Sequence, residues 1–221
     1  ASAIAWASDN VLINVATGAV TLPEEAREAV ILTATVTNGT GSVDVAFEVS
    51  VGARRLTTDL FISEYIEGSS NNKALEIYNG TGEAVDLTGY SLVLYSNGSA
   101  TASQTYILTG TLNDGEVFVL ANSGANAAIL AIADATQGYP SVPNFNGDDA
   151  VALLKGEVVI DVIGVIGVDP GSNWPVGTGA TNEYTLVRSD MVLSPNATFT
   201  ASEWVVYPQD TVDYLGSHVQ N

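Results

Sequence analysis

The feature that most constrains the fold of this chain is a succession of short β-rich runs with turn-forming residues between them. Val43 to Val51 alternate apolar with polar or small side chains over nine positions, which is typical of a half-buried strand. Ala29 to Val36 follow a similar pattern, and Asn38-Gly39-Thr40-Gly41 between the two runs favour a hairpin turn. Only Ala125 to Ala135 look helical, as a short helix within a loop. The chain is therefore predicted to be all-β.

Length and charge exclude several classes of protein. With 221 residues the chain can hold one large or two small domains, each with a hydrophobic core. No run of 18 or more apolar residues occurs, so no membrane-spanning helix is predicted. Six Lys and Arg stand against 25 Asp and Glu, a formal net charge of −19. Because nucleic-acid affinity depends largely on basic residues that neutralise phosphates, we predict no nucleic-acid binding by the chain itself. Anionic membrane surfaces are disfavoured for the same reason.

The absence of cysteine excludes disulfides, thiolate zinc sites and cysteine nucleophiles. A composition rich in Asp, Asn, Gly, Ser and Thr, with two lysines, fits an exported surface protein. The first residues, Ala1 to Trp6, have neither a basic segment nor a long apolar core. They are therefore expected to be a mature or trimmed start rather than a signal peptide.

A domain boundary is predicted at Gly52 to Thr58, a short segment that contains the arginine pair Arg54-Arg55. Residues 1–53 are too few for a complete immunoglobulin-like sandwich of about 100 residues. They contain Trp6-Ala7-Ser8-Asp9-Asn10, Ala16-Thr17-Gly18-Ala19-Val20-Thr21 and Leu32-Thr33-Ala34-Thr35-Val36-Thr37-Asn38-Gly39. These motifs resemble the C-terminal part of an atrophied bacterial immunoglobulin-like domain, so this segment is expected to be a partial module. The alternative is an N-terminal extension of the main domain.

Residues 57–221 carry a second and more specific set of motifs. They are Phe61-Ile62-Ser63-Glu64-Tyr65-Ile66-Glu67 with Leu75-Glu76-Ile77-Tyr78-Asn79, then Leu87-Thr88-Gly89-Tyr90, Asn144 to Ala150, Ile160 to Gly164, Tyr184 to Arg188 and Glu203-Trp204. In this order they resemble the lamin-tail domains of bacterial secreted proteins. The resemblance implies an immunoglobulin-like β-sandwich and an extracellular or cell-surface location in a bacterium. It also implies a place in a larger protein, beside a nuclease, phosphatase or adhesion domain.

Four charged residues lie close together at the start of this domain: Glu64, Glu67, Lys73 and Glu76. One interpretation is an ion pair between Lys73 and a neighbouring glutamate that fixes the intervening loop to the strand. The alternative is a binding site, in which the three glutamates converge on a metal ion or act with Lys73 on a ligand. No fixed ligand spacing supports the binding site.

A loop of oxygen-bearing side chains around Gly147 is the best candidate for a metal site. Ca²⁺ takes six to eight oxygen ligands from carboxylates, amides and carbonyls, and Asn144, Asn146, Asp148 and Asp149 can supply several. The segment does not match the EF-hand pattern. A turn in which Asn and Asp side chains bond the backbone is the alternative to calcium.

Two further residues invite a functional interpretation. Asp161 lies inside the β-branched run Val158 to Ile163, and a buried carboxylate needs a partner. Arg188 or Lys155 is expected to be that partner, in a structural rather than a catalytic pair. Trp174 lies in a loop rich in turn-forming residues and is the aromatic side chain most suited to stack on a ligand.

No catalytic motif supports an enzyme. The single histidine, His218, lies near the end of the sequence, where chains are usually mobile. No nucleophile elbow, phosphate-binding loop or zinc-protease motif is present. A hydrolase with an unrecognised carboxylate site is one alternative, and a cleft with two close carboxylates and a raised pKa would favour it. An inert architectural spacer is the other.

The sequence thus predicts a non-catalytic binding or scaffolding module of a larger secreted or cell-surface protein. Its partner is expected to be another protein, a glycan, or a catalytic domain of the same parent protein. A half-sandwich exposes a strand edge and part of an apolar face, and such edges recruit other strands. Residues 1–53 are therefore expected to pack on the lamin-tail domain or to form a homodimer with a second copy.

Overall fold

The structure is a computed structural model that describes residues 2–23, 28–53 and 55–220. Strands account for 43% of it and helices for 6%, which confirms the all-β prediction. The chain divides into two compact units, residues 1–55 and 56–220. Within the described residues, no helix has the length and hydrophobicity needed to cross a bilayer.

The first unit is an antiparallel sheet of three strands in the order β1-β2-β3. The strands are β1 (Ser2–Ser8), β2 (Glu28–Asn38) and β3 (Gly41–Val51). Asn38 pairs with Gly41 across the predicted hairpin turn. An isolated antiparallel bridge joins Ile13 to Val20 in the connection between β1 and β2.

One face of this sheet is apolar from edge to edge. Ile4 lies opposite Val36, and Val36 lies opposite Val43. Trp6 and Phe47, with ring centroids 5.8 Å apart, continue the same surface, because alternate residues of a strand share a face. Ile4 and Val43 are 63% and 64% exposed. We call this surface, formed by Ile4, Trp6, Val36, Val43, Val45 and Phe47, the apolar face of the first unit.

The second unit contains fourteen strands among its described residues. In chain order they are β4 (Phe61–Glu67), β5 (Lys73–Tyr78), β6 (Val85–Asp86), β7 (Tyr90–Tyr95), β8 (Gln104–Ile107), β9 (Thr111–Leu112), β10 (Val117–Asn122), β11 (Ala135–Gln137), β12 (Ala150–Lys155), β13 (Val158–Ile163), β14 (Pro175–Val176), β15 (Gly179–Ala180), β16 (Tyr184–Arg188) and β17 (Trp204–Pro208). Short 3-10 turns occur at Ser96–Gly98, Val142–Asn144 and Ala201–Glu203.

The predicted helix within Ala125 to Ala135 is a single turn, α1 (Ala127–Leu130). The Asn126 side chain begins it by accepting the backbone N–H groups of Ala128 and Ile129, each at 3.0 Å, which is the usual role of an N-cap residue. The chain then extends into β11 at Ala135. The structure confirms the expectation of a short helix within a loop.

Two sheets pack face to face to form the sandwich. One has six strands in the order β11-β10-β5-β4-β16-β17, and the other has four in the order β13-β12-β7-β8. Their facing side chains form the main core, for example Tyr65 and Leu75 from the first sheet and Leu92 and Leu153 from the second. This arrangement confirms the predicted immunoglobulin-like β-sandwich.

The outer face of the six-stranded sheet is also covered. Ile66, Ala74 and Val119 on that face form a second cluster with Ile129 of α1 and Leu215. Leu215 belongs to residues 209–220, which we call the C-terminal strap. β4 is buried along its whole length, because the core covers one face of it and the strap covers the other.

Candidate functional site

Lys73 and Glu67 form a largely buried ion pair across β4 and β5, where they are register partners. The second carboxylate oxygen of Glu67 accepts the backbone N–H of Glu183 at 2.6 Å. The Lys73 ammonium group lies 5.8 Å from the centre of the Phe145 ring. The predicted ion pair between Lys73 and a neighbouring glutamate is confirmed, and Glu67 is its partner.

Glu64 and Glu76 lie on the opposite side of the same two strands. They are register partners, and strand alternation turns them to the outer face, away from Glu67. The structure therefore does not bring the three glutamates together. Among the described residues, no group of three or more His, Asp and Glu side chains is arranged to hold a metal ion.

The Glu64–Glu76 pair is enclosed beneath the C-terminal strap, each residue being 1% exposed. Glu76 accepts two hydrogen bonds, one from the Ser63 hydroxyl at 2.7 Å and one from the backbone N–H of Gly216 at 2.6 Å. Neither carboxyl oxygen of Glu64 has a hydrogen-bond partner among the described residues. Burying such a group in its charged form carries a large free-energy cost.

Burial therefore controls the protonation of this pair. Burial, with the negative charge of Glu76 as a smaller cause, raises the pKa of Glu64 to about 9. Burial also raises the pKa of Glu76 to about 7, although its bonds from Ser63 and Gly216 favour the ionised form. At neutral pH the Glu64 carboxyl group is protonated, since desolvation disfavours its charged form.

The Asn144 to Asp149 loop is held by the hydrogen bonds of an Asx-rich turn. The Asp149 carboxylate accepts the backbone N–H of Asn97 at 2.7 Å and that of Asn146 at 3.0 Å. The Ser141 hydroxyl donates to the Asn144 side-chain oxygen at 2.6 Å. Asn146 is exposed and Asp148 is half-buried, so these two side chains are accessible to a cation. Calcium binding stays a prediction.

Two of the predicted groups meet at one end of the sandwich. Phe145 stacks on Tyr65 with ring centroids 4.6 Å apart and lies beside the Lys73 ammonium group. The Gly147 carbonyl accepts the Thr181 hydroxyl at 2.5 Å, which ties the loop to the segment before β16. We call Glu67, Lys73 and residues 144–149 the acidic rim, and it is the candidate functional site of this unit.

Trp174 is half-buried rather than free in its loop. Its ring lies 6.5 Å from that of Phe199 and packs against Gly164. A Cβ atom at Gly164 would lie 2.7 Å from the Trp174 ring, so that glycine is required for the contact. An open cavity of about 260 Å³ lies beside Phe199 and Gly164. Ligand stacking by Trp174 stays a prediction.

Arg188 is the partner of Asp161, as predicted, and Lys155 instead pairs with Asp59 at 2.7 Å. Arg188 also binds Glu203 at 2.6 Å, and its guanidinium group lies 4.3 Å from the centre of the Trp204 ring. The Arg188 side chain is 1% exposed. Because both ends of the guanidinium group are bonded within the fold, this is a structural pair.

The expectation that His218 lies in a mobile chain end is wrong. The strap holds its ring between Phe61 and Tyr78, with centroids 5.5 and 5.0 Å away. Burial, assisted by the charge of Arg188, lowers the pKa of His218 to about 4, so the ring is neutral at physiological pH. The sequence contains one sign that the strap covers this face of the sheet. Phe61 to Ile66 in β4 include apolar residues on both faces of the strand, which is typical of a strand buried on both sides.

Fold and site together define an immunoglobulin-like β-sandwich module with an acidic rim at one end. Family comparison agrees: residues 54–167 match the Lamin Tail Domain, and residues 1–54 match the atrophied bacterial Ig domain. The chain belongs to the Lamin Tail Domain family, with an atrophied bacterial Ig domain before it. Ig-like families of this kind are generally non-catalytic.

Comparison with the curated proteins gives no match. Among solved structures, a DUF4876 family protein from Bacteroides thetaiotaomicron aligns with a TM-score of 0.42 at 12% sequence identity. The alignment covers 85% of this chain and 80% of that chain.

Proposed function

We propose that the chain is a non-catalytic binding or scaffolding module of a larger exported bacterial protein. The observation that carries this proposal is that Arg188 and His218 are both engaged in contacts within the fold. Arg188 bridges Asp161 and Glu203, and two aromatic rings enclose His218. These groups stabilise the fold and are buried, which supports a module with no catalytic site built on them.

The alternative of a hydrolase draws on the Glu64–Glu76 pair. These carboxyl groups lie on adjacent strands and have raised pKa values, which a general acid requires. Both are 1% exposed beneath the C-terminal strap. A substrate cannot reach them while the strap is in place, so the pair does not favour this alternative.

Tyr139 favours a binding module over an inert spacer. Its side chain is 86% exposed in the loop that leads to the acidic rim. Tyrosine offers a large apolar surface with a polar end, and aromatic residues are enriched where proteins recognise partners. We propose that Tyr139 and the acidic rim contact a glycan or protein partner outside the cell or at its surface. A nuclease, phosphatase or adhesion domain of the same parent protein is the proposed neighbour.

The test is retention of the full chain on insoluble polysaccharides: peptidoglycan, chitin, cellulose and mannan. The wild type and the variants Tyr139→Ala and Trp174→Ala are compared with Ile107→Ala, which removes a 63% exposed apolar residue from β8. Retention on one polysaccharide that Tyr139→Ala loses and Ile107→Ala keeps would support glycan binding at the acidic rim. Loss in Trp174→Ala alone would place the site at Trp174. If no polysaccharide retains the wild type, glycan binding is wrong, and the choice is between a protein partner and the spacer.

A further inference from the structure

The C-terminal strap crosses the outer face of the six-stranded sheet and is attached at several points. The Thr185 hydroxyl of β16 donates to the Thr211 carbonyl at 2.9 Å, and the Gln220 side chain donates to the Val192 carbonyl at 2.8 Å. Leu215 fills the apolar cluster with Ile66. Between these points the strap encloses the Glu64–Glu76 pair.

The two glutamates have different relations to the strap. Glu76 is bonded to it, because its carboxylate accepts the Gly216 N–H. Glu64 is the register partner of Glu76 on the same outer face and is 1% exposed, and neither of its oxygens has a hydrogen bond within the described residues. A carboxylate in that position would lose its hydration and gain nothing in return.

We propose that the C-terminal strap is a pH-gated latch, in which Glu76 anchors the strap and a protonated Glu64 is required for the strap to close. When the strap opens, Glu64 reaches water and ionises. Opening therefore releases one proton, and rising pH favours it. The open latch uncovers the apolar surface around Ile66, Ala74 and Val119.

Other ionisable groups face Glu64 and Glu76 from every packed element. Asp134, before β11, accepts the Val119 N–H at 2.8 Å and acts on Glu76. Glu64 acts on Tyr207 of β17, whose ring lies 4.2 Å from that of Tyr214 in the strap. A side-chain hydrogen bond with Tyr214 raises the pKa of Tyr207 above its usual value of 10.

These neighbours leave one group that stays protonated in the closed form over most of the range from pH 7 to 9. Glu76 is half ionised at pH 7 and ionised above it, because its pKa in the closed form is about 7. The pKa of His218 is about 4, so the histidine of the strap stays neutral. Glu64 alone is protonated in the closed form and ionised in the open form. The opening constant should rise by up to tenfold per pH unit, which is the linkage of one proton.

Hydrogen–deuterium exchange with mass spectrometry tests the latch on the full chain. Protection factors of peptides covering residues 209–220 are measured at pH 7, 8 and 9, after correction for the intrinsic exchange rate. We expect the protection of the wild-type strap to fall by up to a hundredfold over this range. A peptide covering β12 should keep its protection, which separates opening of the latch from global unfolding.

Two variants identify the group responsible. Glu64→Gln keeps a neutral side chain of the same shape and should make the protection of the strap independent of pH. Glu157→Gln changes an exposed glutamate in the turn before β13 and should behave like the wild type. Constant protection of the wild-type strap from pH 7 to 9 would overturn the proposal without any variant. An equal pH dependence in Glu64→Gln, or simultaneous loss of protection in β12, would overturn it as well.

Discussion

At the scale of single residues, the described part of the chain places one buried arginine beside a buried carboxylate. Arg188 neutralises Asp161 in the interior, and Asp161 also accepts the backbone N–H groups of Ile62 at 2.7 Å and Asn196 at 3.0 Å. Each bond replaces hydration that the carboxylate lost on folding. The network therefore joins β4, β13, β16 and the segment before β17 through one charged centre.

Removing Arg188 should be strongly destabilising. Arg188→Met leaves the buried Asp161 without its cation, and breaking a buried pair in this way typically costs about 3–5 kcal/mol. Lys155→Met is the matched control, because it breaks the pair with Asp59 in which the lysine side chain is 53% exposed. Exposed pairs contribute about 0.2–1 kcal/mol. Urea unfolding followed by circular dichroism measures both, and similar losses in the two variants would contradict the assignment.

Calcium binding by the acidic rim is tested by thermal melting in calcium chloride and in EDTA. Saturation at about 100-fold over the dissociation constant adds ~2.7 kcal/mol, a shift of roughly 5–10 °C for a unit of this size. Asp148→Asn should abolish the shift, and it is preferred to a change at Asp149, whose carboxylate holds two backbone groups. Asp44→Asn on β3 is the control of equal charge. Equal melting in the two solutions would leave only the turn interpretation.

The buried charges were predictable in part. Asp161 lies within a β-branched run, so its need for a cation follows from the sequence, and Arg188 was one of two candidates. Glu203 as the second partner of Arg188 was not predictable, because it depends on β16 pairing with β17. The hypothesis that Glu64, Glu67 and Glu76 converge did not take account of strand alternation. Alternation places residues three positions apart, such as Glu64 and Glu67, on opposite faces of the strand.

At the scale of elements, the hairpin of β2 and β3 followed directly from local patterns. The strap did not, because residues 209–220 have no strand or helix periodicity and acquire their position from the surface they cover. Sequence periodicity reports regular elements only. A segment that covers a sheet without joining it gives no such signal.

The apolar face of the first unit should pair with a second copy of this chain. The face carries no charged side chain along its stripe of Ile4, Val36 and Val43, and large exposed apolar patches mark interaction surfaces. Val43→Asp should convert a dimer to a monomer in light scattering after size exclusion. Ser42→Asp adds the same charge on the opposite face and should leave the dimer intact. A wild-type monomer at high concentration would contradict this pairing.

At the scale of the whole molecule, the net negative charge and the buried glutamates both make the folded state less stable as pH rises. The net charge of −19 produces self-repulsion that falls as carboxylates are protonated. Glu64 and Glu76 have pKa values of about 9 and 7 in the folded state, above the value near 4.5 expected after unfolding. The unfolded state thus releases protons, and stability falls as pH rises from about 4.5 to 9.

We therefore expect a higher melting temperature at pH 5.5 than at pH 8.5. His218 opposes this trend only below about pH 6.5, since its lowered pKa favours the unfolded state there. Melts in 0.5 M sodium chloride separate the two causes, because salt screens surface repulsion but hardly affects buried groups. The difference should persist in salt and shrink in Glu64→Gln. A melting temperature that is equal or higher at pH 8.5 would contradict the expectation.

The place of β16 in the six-stranded sheet has a consequence for the order of assembly. β4 lies between β5, its neighbour in sequence, and β16, which is more than 100 residues away. Closing so long a loop is slow, and folds dominated by distant pairings assemble slowly. During synthesis β4 and β5 can form a hairpin early, while one edge of β4 waits for residues 184–188. Until β16 has been made, that edge of β4 is unpaired. During this period a chaperone or another chain can bind the edge.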